Sequence, residues 1–371
     1  MLAFIAIARD AAHRDELLAS RRYHEADFFL VGQPGDSIEK LAGMLPKSVT
    51  RITTPDGDWT PPKATPSALE LPADMTPLQG NTSPTRDIAA VTCFFNPAGF
   101  KTLRRNYDTF AARMSDVAEF YTIECAYHGQ PFTITGPNVI GVRSNSPMFH
   151  KERLLNLAIA ALPSYITKVA WVDCDLVFSR QDWLWQASDL LDDYPVVQCF
   201  ERVNELNQDG ILTRTSEGLA QARRNGRMHY ARPGFAWAAR LDLLRSVGGL
   251  FDRCVVGSGD VVFGNLGCYG EFDHGCVANY AEHLRREAKK YARAVFDKVN
   301  RRVGVVASDV WHLWHGDAGN RRYHERDRLM DGYTPEWLKS NADGVWEWDK
   351  APAPARKAVA DYFIGRQEDA A

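Results

Sequence analysis

The sequence predicts an α/β protein whose main domain is a mixed, mainly parallel sheet flanked by helices. Three observations lead there. Short apolar runs with strand character recur along the chain: IAAVTCFF at 88–95, VAEFYTIECAY at 117–127, KVAWVDCDLVF at 168–178 and PVVQCFE at 195–201. Stretches with helical spacing lie between them, the clearest being PMFHKERLLNLAIAAL at 147–162. Strand and helix signals that alternate in this way build a sheet covered by helices. Composition agrees, with 45% apolar and 25% charged residues and a mean hydropathy of -0.33, which excludes collagen-like, disulfide-scaffold and wholly disordered chains.

In chain order, the runs at 2–8 (LAFIAIA) and 28–32 (FFLVG) read as buried strands around a stretch rich in Arg, Glu and Leu. They form a small βαβ-like appendage over 1–54. Seven of the nineteen prolines fall between Pro55 and Pro84 without any apolar period, so 55–86 reads as a linker or as an arm lying on the main domain. The main domain occupies 87–332. Its first strand ends in the turn Asn96-Pro97-Ala98-Gly99, with a helix from about Phe100, and the polar stretch 202–228 reads as a lid or insertion. A C-terminal extension, 333–371, carries Trp337, Trp346 and Trp348 and is expected to meet the acceptor or a second subunit.

The first apolar run is too short for a membrane span and lacks the flanks of a cleaved leader, and no later stretch reaches the ~18 apolar residues a spanning helix needs. Seven cysteines, an odd number without a C-x-x-C pair, point to a reducing compartment and away from a zinc ribbon. A cytoplasmic protein is therefore expected. The formal charge of -3 supplies no global attraction to nucleic acid or anionic membrane. Locally, 283–302 (HLRREAKKYARAVFDKVNRR) carries eight basic residues against two acids. It reads either as a solvated helix face or as a track for a polyanion.

Four constellations could carry chemistry. Asp173-Cys174-Asp175 ends an apolar strand, where ligands bind in an open α/β sheet, and two carboxylates there suit a hard divalent cation. The same pair also describes a solvated turn. His312 and His315, three apart among tryptophans, could complete a metal site from a distant loop. In a regular strand positions i and i+3 face opposite ways, so His315 is the firm ligand and His312 requires the strand to end or bend. Gly257-Ser258-Gly259-Asp260 places one acid at the head of an apolar helix, as a catalytic carboxylate or an N-cap. Lys151, with Arg321 and Tyr323 beyond the histidines, supplies candidates for facing phosphate.

Taken in order, FFNP, FHKERLLN, WVDCDLVF, RPGFAWAARLDLL, RSVGGLFD, GSGDVVF and HLWHG followed by NRRY resemble the metal-dependent GT-A glycosyltransferases, nucleotide-diphospho-sugar transferases, and their β-1,4-galactosyltransferase-like and family-2-like branches. The likeness runs from residue 88 to about 330. It implies a nucleotide-sugar donor, UDP-linked by preference, with Phe95, Asn96 and Glu124 near the uridine and Phe149 and Lys151 at the helix that touches the donor. It further implies Asp173 near the ribose, Asp175 with His315 on Mn²⁺ or Mg²⁺, and the strand of Trp237 beneath the sugar. Where the family usually has consecutive acids, this chain has only Asp260.

The expected activity is transfer of a hexose-type sugar to an acceptor hydroxyl, with Asp260 as base and inversion at the anomeric carbon. Trp237, Trp311 and Trp314 are expected as apolar walls for sugar faces. The acceptor stays open between a carbohydrate and a polyanion such as nucleic acid with a hydroxylated base. Three alternatives stand beside it: a nucleotidyltransferase, which normally has a Gly-rich phosphate loop that FFNPAGF lacks; a glycoside hydrolase, which needs two carboxylates flanking one bond and would release free sugar without a nucleotide; and a non-catalytic carbohydrate-binding protein, which would have no use for the acids and histidines.

Overall fold

The computed structural model describes residues 2–8, 28–32, 36–38, 41, 51–54, 57–59 and 87–369, apart from 115–116, 118, 128, 228–230 and 324. The chain divides into two units, Met1–Asp74 with Asn204–Thr215, and Met75–Val203 with Ser216–Ala371.

In the first unit, β1 (Leu2–Ile7), β2 (Phe28–Gly32), β3 (Arg51–Thr54) and β4 (Gly57–Trp59) form a sheet in the order β2-β1-β3-β4. Strand β1 runs parallel to β2 and β3, as a βαβ-like unit requires; the expected helix between β1 and β2 lies outside the described residues. Strands β3 and β4 form a tight antiparallel pair with Ile52 opposite Trp59, so this sheet crosses the expected boundary at 54. The proline-rich stretch 60–86 lies outside the described residues.

In the second unit the elements run β5 (Ile88–Phe95), α1 (Lys101–Arg113), β6 (Phe120–Tyr127), β7 (Val139–Ser144), α2 (Lys151–Ala160), β8 (Lys168–Val172), β9 (Leu176–Phe178), α3 (Trp183–Asp193) and β10 (Val196–Gln198). The hairpin β11 (Arg202–Leu206) and β12 (Leu212–Glu217) follows, its residues Asn204–Thr215 belonging to the first unit, and then α4 (Leu219–Arg224). Then come β13 (Ala236–Arg240), α5 (Leu241–Val247), α6 (Glu282–Val299), β14 (Val303–Val305) and β15 (Asp309–His312). The chain closes with β16 (Leu338–Ser340), β17 (Trp346–Trp348) and α7 (Ala353–Gly365).

Seven strands make the central sheet in the order β14-β10-β13-β8-β5-β6-β7. All neighbours are parallel except β13, which runs against both β8 and β10. This is the mixed, mainly parallel sheet the alternation predicts. Strand β5 is buried along nearly its whole length, which explains its continuous apolar run. Leu154 and Leu155 of α2 pack with Ile123, Trp171 and Trp237 in one core cluster. Phe110 of α1 and Leu184 of α3 pack with Ile88, Val172 and Phe200 in another.

Three departures from the sequence reading bear on the site. The run 168–178 is two strands, because buried carboxylates without partners are costly and Asp173 and Asp175 end β8 at its carboxyl end. Strand β9 leaves the sheet and pairs with β15, with His312 opposite Leu176. Residues 202–228 hold a hairpin and a helix where a lid or insertion was expected; β12 exposes most of its side chains, so no apolar alternation marks it. The stretch from 333 is no separate extension. Its Trp337, Trp346, Tyr362 and Phe363 join Met148, Phe251 and Val255 in a third apolar cluster.

Helix α6 buries only Leu284, Ala288, Ala292, Val295 and Val299, a narrow stripe, and leaves Arg286, Lys290, Arg293 and Lys298 exposed. Among the described residues no helix is long and apolar enough to cross a membrane.

Candidate active site

The site lies where β5 and β8 end and the antiparallel β13 begins. Ala236 is in register with Val172, so the segment before β13 arrives beside the acids that follow β8. The Asp173 N–H donates to the Phe235 carbonyl at 2.8 Å, and Phe235 holds φ +80°, a conformation uncommon for a residue with a β-carbon. On the other side, the Leu313 N–H donates to the Asp175 carbonyl at 2.9 Å. That bond and the β9–β15 pairing bring the histidines to the acids across more than 130 residues of chain.

Strand β15 stops at His312, and Leu313–His315 leaves extended pairing. Both histidines therefore face the same space. Their Nε2 atoms are 3.1 Å apart, and Asp175 Oδ2 lies 2.8 Å from Nε2 of His315 and 3.6 Å from Nε2 of His312. One ligand atom from each residue falls within 4.8 Å of the others. In an octahedral set at ~2.1 Å, neighbouring ligand atoms lie roughly 3 Å apart, close to these separations. Asp175 Oδ1 is buried and without a hydrogen-bond partner among the described residues, a cost that a cation would remove. The residues fit a divalent ion.

Electrostatics point the same way. Burial alone would raise the Asp175 carboxyl, yet His315 and His312 hold it well below the usual carboxylate range. Burial lowers His312, although Asp175 opposes that shift. Binding a cation would take an ionised carboxylate and free imidazole lone pairs, and the low Asp175 carboxyl supplies the first. The outer partners come from elsewhere: His315 Nδ1 lies 3.0 Å from Glu368 Oε1, and Arg321 Nη2 lies 2.6 Å from His315 Nε2 and 2.8 Å from its Nδ1. Arg321 Nη1 reaches the Tyr323 hydroxyl at 3.0 Å, and that tyrosine is exposed.

The second half of the site is built around Lys151, at the start of α2 and almost fully buried. Its Nζ is 2.6 Å from Asp173 Oδ1 and 3.1 Å from both carboxylate oxygens of Asp260. Burial pulls the Lys151 pKa down, but Asp173 and then Asp260 outweigh it and hold the ammonium well above its ordinary value. Asp260 lies inside the first turn of a short helix, Gly259–Val261, that passes into a π-helical segment, Val262–Cys268. The N-cap is Ser258, so the capping role open for Asp260 in the sequence does not apply, and its carboxylate faces Lys151.

Glu152, the neighbour of Lys151, is buried in the same corner and was missed in the sequence. A β-carbon at Gly259 would come against its carboxylate, so that glycine makes room for it. Burial first, then the charge of Asp260, push the Glu152 pKa up to about 8, which keeps the acid protonated at neutral pH. The remaining signal, a bare glycine before Asp260, is legible only once the two segments are known to meet.

Other expected site residues take different roles. Trp237 does not line the site: it is 1% exposed, packs edge-on against Phe263 and donates its indole N–H to the Pro233 carbonyl at 2.7 Å. No face of that ring is left for a sugar. Trp311 and Trp314 are half-buried. The carboxylate of Glu124 accepts from the N–H and hydroxyl of Thr133 and from the N–H of Ile134, which anchors the loop beyond β6. Asn96 spends its amide on both backbone groups of Phe100 and so closes the turn after β5. Phe95 packs edge-on against Phe149, both half-buried at the rim.

No family model and no curated protein sequence matches the chain. Among solved structures it is similar to Drosophila β1,4-galactosyltransferase 7, a mutant in complex with manganese, UDP-Gal and xylobiose. That match has 10% identity, 59% of this chain, 65% of the other and a TM-score of 0.30, so the chain spans less than two thirds of that relative. It is also similar to the mannosyltransferase PcManGT of Pyrobaculum calidifontis in complex with GDP-Man and Mn²⁺, with 13% identity, 75% and 69% coverage and a TM-score of 0.36. A third is 4-diphosphocytidyl-2C-methyl-D-erythritol synthase of Anaerococcus prevotii, with 11% identity, 60% and 86% coverage and a TM-score of 0.31. Superpositions this loose assign no activity.

Proposed function

We propose that the chain is a divalent-metal-dependent GT-A glycosyltransferase that moves a hexose-type sugar from a nucleotide sugar, UDP-linked by preference, to an acceptor hydroxyl with inversion. One observation carries the reading. Asp175, His312 and His315 converge beyond the carboxyl end of β8 around a carboxylate oxygen with no hydrogen-bond partner among the described residues, and Asp173, two residues before Asp175, shares the buried Lys151 with Asp260.

The residues divide the work by position. Asp175, His312 and His315 would hold the cation, and two imidazoles in the set favour Mn²⁺ over Mg²⁺. A bound cation supplies Lewis-acid stabilisation of the departing nucleoside diphosphate. Arg321 and Tyr323, at the edge of the histidines, meet phosphate charge. Lys151 orients Asp173 toward the donor and Asp260 toward the acceptor. Asp260 takes the proton of the acceptor hydroxyl, whose oxygen bonds to the anomeric carbon while the carbon–oxygen bond to the diphosphate breaks and its electron pair leaves with phosphate. General-base assistance of this kind contributes ~10²–10⁴ in rate. Attack on the face opposite the leaving group inverts the centre. A retained anomeric configuration in the product would remove Asp260 from this role.

The acceptor is a carbohydrate or a polyanion such as nucleic acid with a hydroxylated base; the exposed basic face of α6 supports the second, and steep loss of acceptor binding with salt would distinguish it. Thermal shifts with UDP, GDP or CMP, each with Mn²⁺, Mg²⁺ or EDTA, test the donor. Stabilisation by one nucleoside diphosphate that needs the metal is the expected result, followed by product mass spectrometry with the matching sugar nucleotide. A chain that responds to none of them is not a metal-dependent glycosyltransferase.

A further inference from the structure

The segment after α7 does not trail away from the fold. It turns at Gln367, with φ +46°, and lies across His315 and Gly316. Gly316 has φ +89°, and a β-carbon there would stand 3.0–3.1 Å from the carbonyls of Arg366 and Gln367. Glycine is therefore required both for the conformation and for the close approach. Glu368 is 2% exposed, with Oε1 3.0 Å from His315 Nδ1 and 2.6 Å from Arg366 Nη2. Asp369 Oδ1 accepts the N–H of Thr102, in the first turn of α1, at 2.8 Å. The Tyr362 hydroxyl donates to the Arg321 carbonyl at 3.1 Å. The first turn of α1 thus holds the strap itself, and Tyr362 ties the helix before it to the segment after the histidines.

We propose that the strap 366–369 is a working part of the cation site, with Glu368 as a positioning residue that accepts the Nδ1 proton of His315 and so turns the Nε2 lone pair toward Asp175. The inference rests on the reading of Asp175, His312 and His315 as a cation site. A neutral imidazole carries one N–H and one lone pair, so the partner of Nδ1 decides what Nε2 offers. The buried carboxylate has its charge balanced by Arg366, which leaves the hydrogen bond to His315 as its directed contact. Carboxylates that hold a ligating histidine in this way are worth about 10- to 100-fold in metal affinity. Linkage makes the effect mutual: a cation that binds better with the strap closed must also hold the strap closed.

Two measurements on the full chain test this. Mn²⁺ binding is measured calorimetrically for the wild type, Glu368→Gln and Glu368→Met, side chains of similar size of which only Gln keeps an acceptor. The Met variant is expected to bind about 10- to 100-fold more weakly, and Gln to stay within about threefold of wild type. Equal affinities for the Met and Gln variants would overturn the proposal. On the unmodified chain, Mn²⁺ should slow tryptic cleavage after Arg366, read by intact mass, whereas an unchanged rate counts against the strap. A wild type that binds no Mn²⁺ defeats the cation site itself and the strap with it, while a wild type that binds Mn²⁺ with no response at Glu368 defeats the strap alone.

Discussion

The two halves of the site hold their acids in opposite ways. Around Lys151, the protein supplies its own cation: the ammonium sits 2.6 Å from Asp173 and 3.1 Å from Asp260. Around Asp175, the nearest side-chain groups are two imidazole nitrogens, and one carboxylate oxygen has no hydrogen-bond partner among the described residues. The first corner pairs Asp173 and Asp260 with Lys151 before any ligand arrives, although Glu152 Oε1 in that corner also lacks a hydrogen-bond partner among the described residues. The second would be completed by the proposed cation. Under the proposed function, the two corners would divide positioning from leaving-group stabilisation.

That comparison can be broken. The largest effect is expected from Asp175→Ala, which should abolish the Mn²⁺-dependent thermal shift with nucleoside diphosphate, and turnover with it. Retention of that shift would show that the imidazoles and acid are a structural cluster. Asp260→Asn comes next. It should lower turnover by ~10²–10⁴ while the metal-dependent shift stays intact. Loss of both together would mean that the halves are not separable in this way.

A smaller effect is expected from Lys151→Met, which leaves Asp173 and Asp260 facing each other without their cation. Breaking a buried ion pair costs about 3–5 kcal/mol, and because the two acids keep 26% and 27% side-chain exposure the lower end applies, read in denaturant melts. Unchanged stability would show that water already neutralises the pair. The smallest sharpens the corner rather than breaking it. Glu152 has its pKa raised from 4.5 to about 8, so the folded state prefers the protonated acid. Its favourable contribution is present below about pH 4.5 and is lost as the pH rises toward 8. Glu152→Gln mimics the neutral acid, so the variant should melt with the wild type near pH 5 and a few degrees above it near pH 9. Parallel melting curves at both pH values would place the Glu152 charge elsewhere.

Legibility followed the range of the interactions involved. The strands at 88–95 and 196–198 are visible as short continuous apolar runs, and the helix at 151–160 by apolar side chains at helical spacing. The hairpin at 202–217 is not, because most of β12 is exposed and needs no apolar pattern. The acids and histidines stand out by residue type and by their place at strand ends. Trp237 misleads for the same reason: its type suits a sugar face, but one strand register places it in the core. Glu152 sits one residue from Lys151 and carries no local mark of burial, since burial comes from Gly259 more than 100 residues on. Glu368 gives no sequence signal, because its partner is 53 residues away.

By itself, the sequence determined the α/β architecture and the inventory of chemistry: paired acids after an apolar strand, two histidines far downstream and one acid in a glycine turn. Local periodicity and residue type suffice for those, since both are properties of short windows. Only the tertiary structure decided which of these groups share a space. The β9–β15 pairing brings His312 and His315 to Asp175, Lys151 ties Asp173 to Asp260, and a strap from beyond α7 meets the ring of His315. Those contacts depend on backbone pairing between distant segments, which no short window of sequence encodes.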